Sequence, residues 1–182
     1  MPASRVYAAE DQWAAVLDRG GVIDFFGSRL DLAPQRRFGD LAAVQAYVAW
    51  VLCHPAVRAA YPAAGPVAVR ERAGQAKAHY EVAAGHNGAA TAHHGPARAT
   101  IAIPLRQGWA ARESVVLHEV AHHLAGSLPG FAPGGPSRRQ WHGIEFRRTM
   151  CRLAQVVLGE PAALLLRAGY EEAGLRTVVG TS

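Results

Sequence analysis

The stretch VVLHEVAHHLAG, residues 115–126, places three histidines and one glutamate among apolar side chains. His118 and His122 are four positions apart, so on an α-helix they lie about 40° from each other and can bind one metal ion together. Glu119 falls on the adjacent flank, where it can take a proton from a water on that ion. This His-Glu-x-x-His pattern predicts a zinc site with Glu119 as its general base.

The third histidine of the stretch, His123, is rotated about 140° from His118 and should point elsewhere. We expect it to cap the helix or to lie at the surface, with support of the metal ligands as the alternative. A catalytic zinc commonly has three protein ligands and one open position, so a further ligand has to come from another segment.

A candidate for that ligand follows the loop 127–140, which contains three prolines and three glycines. His142 begins the next predicted helix, where its side chain can point across at the first, and Gly143 would let two backbones approach closely. Glu145 is the alternative, because glutamate is the third ligand in other His-Glu-x-x-His sites. Ile144 and Phe146 are expected to pack this helix against the core.

Further residues could do chemistry but are predicted to be structural. The loop 85–98 contains histidines without ordered spacing, which favours a solvated loop over a second metal site; they are His86, His93 and His94. His79 and Tyr80 are predicted to pack or to lie at the surface. Tyr170 could stabilise an oxyanion, although core packing fits its position better.

Composition narrows the functional classes. Half of the 182 residues are hydrophobic and 18% are charged, as is usual for a globular protein, so one domain over residues 1–182 is expected. The formal charge is +5, but the basic residues are scattered, which leaves a nucleic-acid partner possible but unsupported. Cys53 and Cys151 fall in apolar helical patterns typical of buried free thiols, and no Cys-x-x-Cys pair is present.

Membrane contact is not expected. The longest apolar run, residues 46–53, is far too short to cross a bilayer. The first twenty residues lack the apolar segment of a signal peptide and carry Glu10 and Asp11. We therefore expect a cytoplasmic protein.

Hydrophobic periodicity and chain-breaking residues predict an α+β fold, in which a small antiparallel sheet packs against the metal-binding helix and additional helices. The predicted helices are 4–18, 41–53, 111–125, 142–158 and 161–174. The predicted strands are 22–32, a hairpin of 66–72 with 77–83, and 99–104. We also expect residues 99–103 to form an edge strand beside the zinc cleft, with the loop 127–140 as a wall or lid.

The order of these motifs resembles a known family. His-Glu-x-x-His, a variable loop and then His-Gly-x-x-Phe are similar to the SprT-like, minigluzincin-type group of zinc metallopeptidases. More closely, most of the chain resembles a family of small actinobacterial metallohydrolases. The segments that carry this likeness are RVYAAE, FFGSRLDL, RFGDLAAVQAYV, AHYE, IAIP, VVLHEVAHHLAG and HGIEF.

This resemblance implies a zincin-like fold, Zn²⁺ on His118, His122 and His142, and Glu119 as the base. It also implies a metallopeptidase that hydrolyses a peptide or protein substrate. DNA-repair members of the SprT-like group carry extra nucleic-acid-binding elements that this sequence lacks, so their activity is not implied. The alternative function is a non-catalytic, zinc-stabilised binding module that could associate with nucleic acid. Glu119 counts against that alternative, because a structural zinc site is closed by four protein ligands and has no use for a base.

Overall fold

A computed structural model describes residues 3–73, 77–82, 99–129 and 141–177. These residues form a mixed α+β structure with six helices and two small sheets. The helices are α1 (Ala3–Arg19), α2 (Leu41–Cys53), α3 (Pro55–Ala60), α4 (Glu113–Gly126), α5 (Ile144–Leu158) and α6 (Glu160–Glu172). The strands are β1 (Gly21–Phe25), β2 (Ser28–Leu32), β3 (Val67–Glu71), β4 (His79–Val82) and β5 (Ala99–Ile103).

Helix α1 packs on α6 through an apolar stripe that includes Val6, Trp13 and Leu17, all buried. The indole nitrogen of Trp13 donates a 2.9 Å hydrogen bond to the carbonyl of Ala162, next to Pro161 in the first turn of α6. Burying an indole N–H without an acceptor is unfavourable, so this bond fixes how the two helices meet. The predicted helices 4–18 and 161–174 are confirmed to within two residues.

Residues 22–32 form a hairpin rather than the single strand-like segment that we predicted. β1 and β2 pair antiparallel, with Phe25 opposite Ser28. The two residues between them, Phe26 and Gly27, both have positive φ, as a type I′ turn requires. The side chain of Asp24 accepts a hydrogen bond from the Gly27 amide and closes the turn.

Helix α2 begins after Asp40, whose side chain caps it by accepting a 2.7 Å bond from the Ala43 amide. It ends at His54, as predicted, but the short helix α3 follows directly and was not foreseen. Cys53 is exposed, so the prediction of a buried thiol is wrong there; Cys151 is buried. Cys53 lies on the outer side of α2, away from the face that packs inward through Val44, Val48 and Val51.

The three-stranded sheet corrects three predictions. Its order is β3-β5-β4, so β5 is a central strand, and β3 and β4 do not form the predicted hairpin. β5 pairs parallel with β3 and antiparallel with β4, so the sheet is mixed and not purely antiparallel. Ile101 and Ile103 are fully buried. A continuous apolar run with few polar side chains is typical of a strand covered on both faces, which explains why β5 is central.

Helix α4 lies in the middle of the described structure. It contacts the sheet through β4 and β5, and it contacts α2 and α5 on other sides. Neighbours on several sides bury it almost completely, including its polar residues. Of the described helices, none has both the length and the apolar character needed to cross a membrane.

Candidate metal centre

Two of the predicted ligands lie on one face of α4. His118 and His122 are each 6% exposed, because α1 and α5 cover this face. Their imidazole nitrogens Nε2 are 3.1 Å apart. The four-residue spacing on a straight helix therefore places both rings as predicted.

His142 approaches from the segment that precedes α5. Its Nε2 lies 3.3 Å from Nε2 of His118. Arg147, one turn into α5 and buried, donates a 2.7 Å hydrogen bond to the His142 carbonyl. The same guanidinium donates to the carbonyl of Arg176, so it ties the backbone of His142 to the C-terminal segment.

The three histidines form a group that could hold a metal ion. One ligand nitrogen from each lies within 4.8 Å of the others. The predicted alternative, Glu145, is exposed and forms an ion pair with Arg148 at 3.2 Å. The structure therefore brings His142, and not Glu145, to the pair on α4.

A buried carboxylate on α1 orients the first histidine. Nδ1 of His118 lies 2.5 Å from Oε2 of Glu10, and the Tyr170 hydroxyl donates to the other oxygen of Glu10. Nδ1–H is then the donor, which leaves the lone pair on Nε2 for a metal. Ligating histidines usually have such an acceptor behind them.

Our sequence analysis did not assign this role to Glu10. The signal was present, because Val6, Glu10, Trp13 and Leu17 follow a helical spacing and Glu10 interrupts the apolar stripe. A carboxylate at such a position needs a buried partner. Tyr170 is buried as expected, but its hydroxyl is committed to Glu10 rather than to a substrate.

Phe146 covers the inner side of the cluster. It is fully buried, and its ring centre lies 4.4–4.9 Å from those of the three histidines. Burial lowers the pKa of His142 to about 4 and that of His122 well below its usual value, and the neighbouring His118 adds to both effects. For His118, burial also lowers the pKa, but the charge and hydrogen bond of Glu10 outweigh it and the pKa is raised.

Glu119 lies beside this cluster and is 4% exposed. Burial raises the pKa of its carboxyl to about 7, against the lowering effects of the His118 charge and of a hydrogen bond from the Tyr80 backbone. A cleft of about 330 Å³ opens next to Glu119 and His118. A carboxylate with this pKa at the wall of a cleft can both accept and return a proton near neutral pH.

Tyr7 and Lys77 complete the cleft wall near the cluster. The Tyr7 ring stacks on His118, with centres 5.5 Å apart, and meets His142 edge-on at 5.0 Å. The Lys77 ammonium lies 4.0 Å from the centre of the Tyr7 ring. Burial raises the pKa of Tyr7, and the charges of Glu119 and Glu10 raise it further.

His123 is buried, so the prediction of a capping or surface residue is wrong. It points away from the cluster, as its rotation required, and toward the sheet. Its Nε2–H donates to the Gly65 carbonyl at 2.8 Å, and Nδ1 lies 3.2 Å from the Tyr80 hydroxyl. Tyr80 is thereby fixed beside Glu119 and stacks on His122, a contact that the sequence did not indicate.

Two predictions fall on residues that the structure does not describe. They are the solvated loop with His86, His93 and His94, and the wall or lid formed by residues 130–140 of the loop after α4. Comparison with known proteins found no matching family model, and no curated protein or solved structure matches the chain significantly. Functional inference therefore rests on the geometry of this site.

Proposed function

We propose that the chain is a zinc-dependent metallohydrolase that cleaves peptide bonds, with Glu119 as the general base. The observation that carries this proposal is the convergence of three imidazole nitrogens beside a buried carboxylate and an open cleft. Among the described residues the cluster contains three ligands, which is the number typical of a catalytic zinc with one open position.

The spacing of the nitrogens supports zinc. Zinc–nitrogen bonds of roughly 2.0–2.1 Å at tetrahedral angles place two ligand nitrogens about 3.3–3.4 Å apart. The distances from Nε2 of His118 to Nε2 of His122 and of His142 are 3.1 and 3.3 Å. Three neutral imidazoles are also ligands that zinc favours, and the lowered pKa values keep His122 and His142 neutral.

When bound, zinc would lower the pKa of a water molecule to about 7 and polarise a carbonyl group. Glu119 would accept the proton of the attacking water and return it to the leaving nitrogen. His118 is held in the required tautomer by Glu10, and Phe146 excludes water from the inner side. These roles support the zincin-like architecture that the sequence resemblance implies.

A peptide substrate is supported by the edge of the sheet. β4 is an edge strand within the described sheet, and the residues just before it, Lys77 and Ala78, line the cleft. The backbone of Tyr80 in β4 already donates to Glu119, so this edge faces the base. An extended peptide can bind as an added strand along such an edge. β4 thus takes the place that we had expected for β5.

Metal analysis and cleavage profiling test this proposal. The purified wild type should contain one zinc per chain and cleave a proteome-derived peptide library. Glu119→Gln should keep its zinc but lose roughly 10²–10⁴-fold in turnover, because only the base is removed. His142→Ala is the matched control for metal loss and should lose both zinc and activity. Unchanged turnover in Glu119→Gln, or no cleavage by zinc-loaded wild type, would contradict the proposal.

A further inference from the structure

We propose that Tyr7 is a catalytic residue whose phenol donates a hydrogen bond to the substrate carbonyl oxygen as that oxygen becomes negative. This inference rests on the proposed hydrolase function. Tyr7 lies one helical turn before Glu10 on α1, so the same face of α1 presents both side chains to α4. Its ring contacts both His118 and His142, and it lines the cleft together with Glu119.

The histidine cluster and Glu119 themselves offer no donor for a negative oxygen. The three Nε2 atoms offer lone pairs, and the carboxylate of Glu119 is an acceptor. Hydrolysis of an amide gains most from donors aimed at the oxygen on which charge develops. A neutral phenol next to the histidine cluster is such a donor.

Tyr7 is also the one tyrosine at the site whose hydroxyl bonds to no described residue. The hydroxyls of Tyr80 and Tyr170 are engaged, the first with His123 and the second with Glu10. Within the described part of the chain, the Tyr7 hydroxyl has no hydrogen-bond partner. A half-buried phenol that faces a cleft and has no partner among the described residues can bond to a bound ligand.

Lys77 adds a positive charge at the same place. It is the only lysine in a chain with 19 basic residues, and its ammonium lies 4.0 Å from the centre of the Tyr7 ring. A cation beside a cluster that would hold a dication is unfavourable unless an anion lies close to both. Glu119 and Glu10 lie close to Tyr7 and offset part of this positive charge. The Lys77 ammonium would still attract an oxygen that becomes negative near Tyr7.

The step balances without any oxidation or reduction. Water adds to the carbonyl carbon, the new C–O bond forms, and the π-electron pair moves to the carbonyl oxygen. The proton of the water goes to Glu119 and then to the nitrogen. The electron pair on the oxygen re-forms the C=O bond as the C–N bond breaks, and the C–N pair leaves with the nitrogen. Tyr7 keeps its own proton throughout and contributes only the hydrogen bond.

The test uses Tyr7→Phe in the zinc-loaded full chain, because this variant keeps the ring that stacks on His118 and removes one hydroxyl. We expect kcat to fall by roughly 10²–10³-fold with KM changed less than about threefold, since the lost bond forms mainly in the transition state. Zinc content and Tm should stay at wild-type values. Tyr61→Phe, whose hydroxyl bonds Thr149, is the matched control.

A binding measurement separates this inference from the proposed function. Acetohydroxamate, an anionic zinc ligand, is titrated into Co²⁺-loaded protein and followed by the visible spectrum. We expect roughly tenfold weaker binding to Tyr7→Phe than to wild type, even if no peptide substrate is found. Equal hydroxamate affinity, a kcat within about threefold of wild type, or loss of zinc in Tyr7→Phe would each overturn the role of Tyr7. Absence of hydrolysis by wild type, together with weakened hydroxamate binding to Tyr7→Phe, would contradict the proposed hydrolysis and with it the catalytic role of Tyr7. It would support Tyr7 only as a hydrogen-bond donor to an anion at the metal.

Discussion

His122 and His123 are neighbours in the chain, yet α4 sends them to opposite environments. His122 faces α5 and the histidine cluster, where its Nε2 lies 3.1 Å from that of His118. His123 faces the sheet, where both of its ring nitrogens have protein partners, the Gly65 carbonyl and the Tyr80 hydroxyl. Both side chains are 6% exposed, so burial does not distinguish them.

The two sides of α4 differ in whether a histidine ring nitrogen remains available to bind a metal ion. On the side of α4 that faces the histidine cluster, Glu10 holds only Nδ1 of His118, so Nε2 could bind a metal ion. On the sheet-facing side, His123 has no nitrogen left for a ligand, and it serves instead to hold Tyr80 beside Glu119. A buried histidine thus becomes a candidate ligand through an unused lone pair, and its position in a motif is not sufficient.

The largest expected effect is on zinc affinity, and it should differ between variants of His122 and His123. His122→Ala removes one of three ligands and should weaken zinc affinity by at least about 10³-fold, because two histidines and water form a much poorer site. His123→Ala should change zinc affinity by less than about tenfold. It should nevertheless lower stability by about 1–3 kcal/mol, since the Tyr80 hydroxyl loses a buried partner. Competition with a chromophoric chelator measures affinity, and thermal unfolding measures stability. Equal zinc loss in both variants would remove the contrast between the two faces.

The same contrast explains which parts of the site could be predicted from the sequence and which could not. The positions of His118, Glu119 and His122 depend on the local geometry of one helix, which spacing along the chain predicts well. The contacts of His123 and Glu10 depend on which elements pack against α4 and α1, and the spacing of residues along the chain does not predict that packing. The pairing of the strands was harder still to predict. Placing β5 between β3 and β4 requires a long-range pairing, although its continuous apolar run was compatible with a central strand.

A smaller effect is expected from a change at Glu10, which lies behind His118 on the side of the histidine cluster. Glu10→Gln keeps the size of the side chain but replaces a charged acceptor, so Nδ1 of His118 is held less firmly. Zinc affinity should fall by about 10–100-fold, as for other partners of ligating histidines. Glu171→Gln, an exposed change on α6 next to Tyr170, is the control and should leave the affinity unchanged. Nitrogen NMR of the imidazoles would show whether the tautomer of His118 is altered. Unchanged affinity and tautomer in Glu10→Gln would mean that Glu10 is only a packing residue.

The smallest effect concerns acid stability of the metal-free protein. The folded-state pKa of His142 is lowered to about 4, mainly by burial, whereas an unfolded chain protonates this residue near 6.5. The unfolded state therefore binds more protons below pH 6.5, and stability should fall from there to about pH 4 and then level off. His118, with its raised pKa, loses its contribution only as the pH rises, so it does not cancel this fall.

His142→Ala should remove the part of the stability loss on acidification that protonation of His142 causes. Because His142 is only half-buried, we expect a difference of about 1 kcal/mol, or 2–4 °C in Tm, between pH 7 and pH 4.5 relative to wild type. Thermal unfolding of both proteins after chelation and dialysis, at matched ionic strength, measures it. His123→Ala is the comparison from the sheet-facing side, where the Gly65 bond partly offsets the effect of burial on the pKa. If wild type and His142→Ala lose the same stability on acidification, protonation of His142 does not limit the acid stability of the metal-free protein. The lowered pKa of His142 would then have no measurable effect on the stability of the metal-free protein.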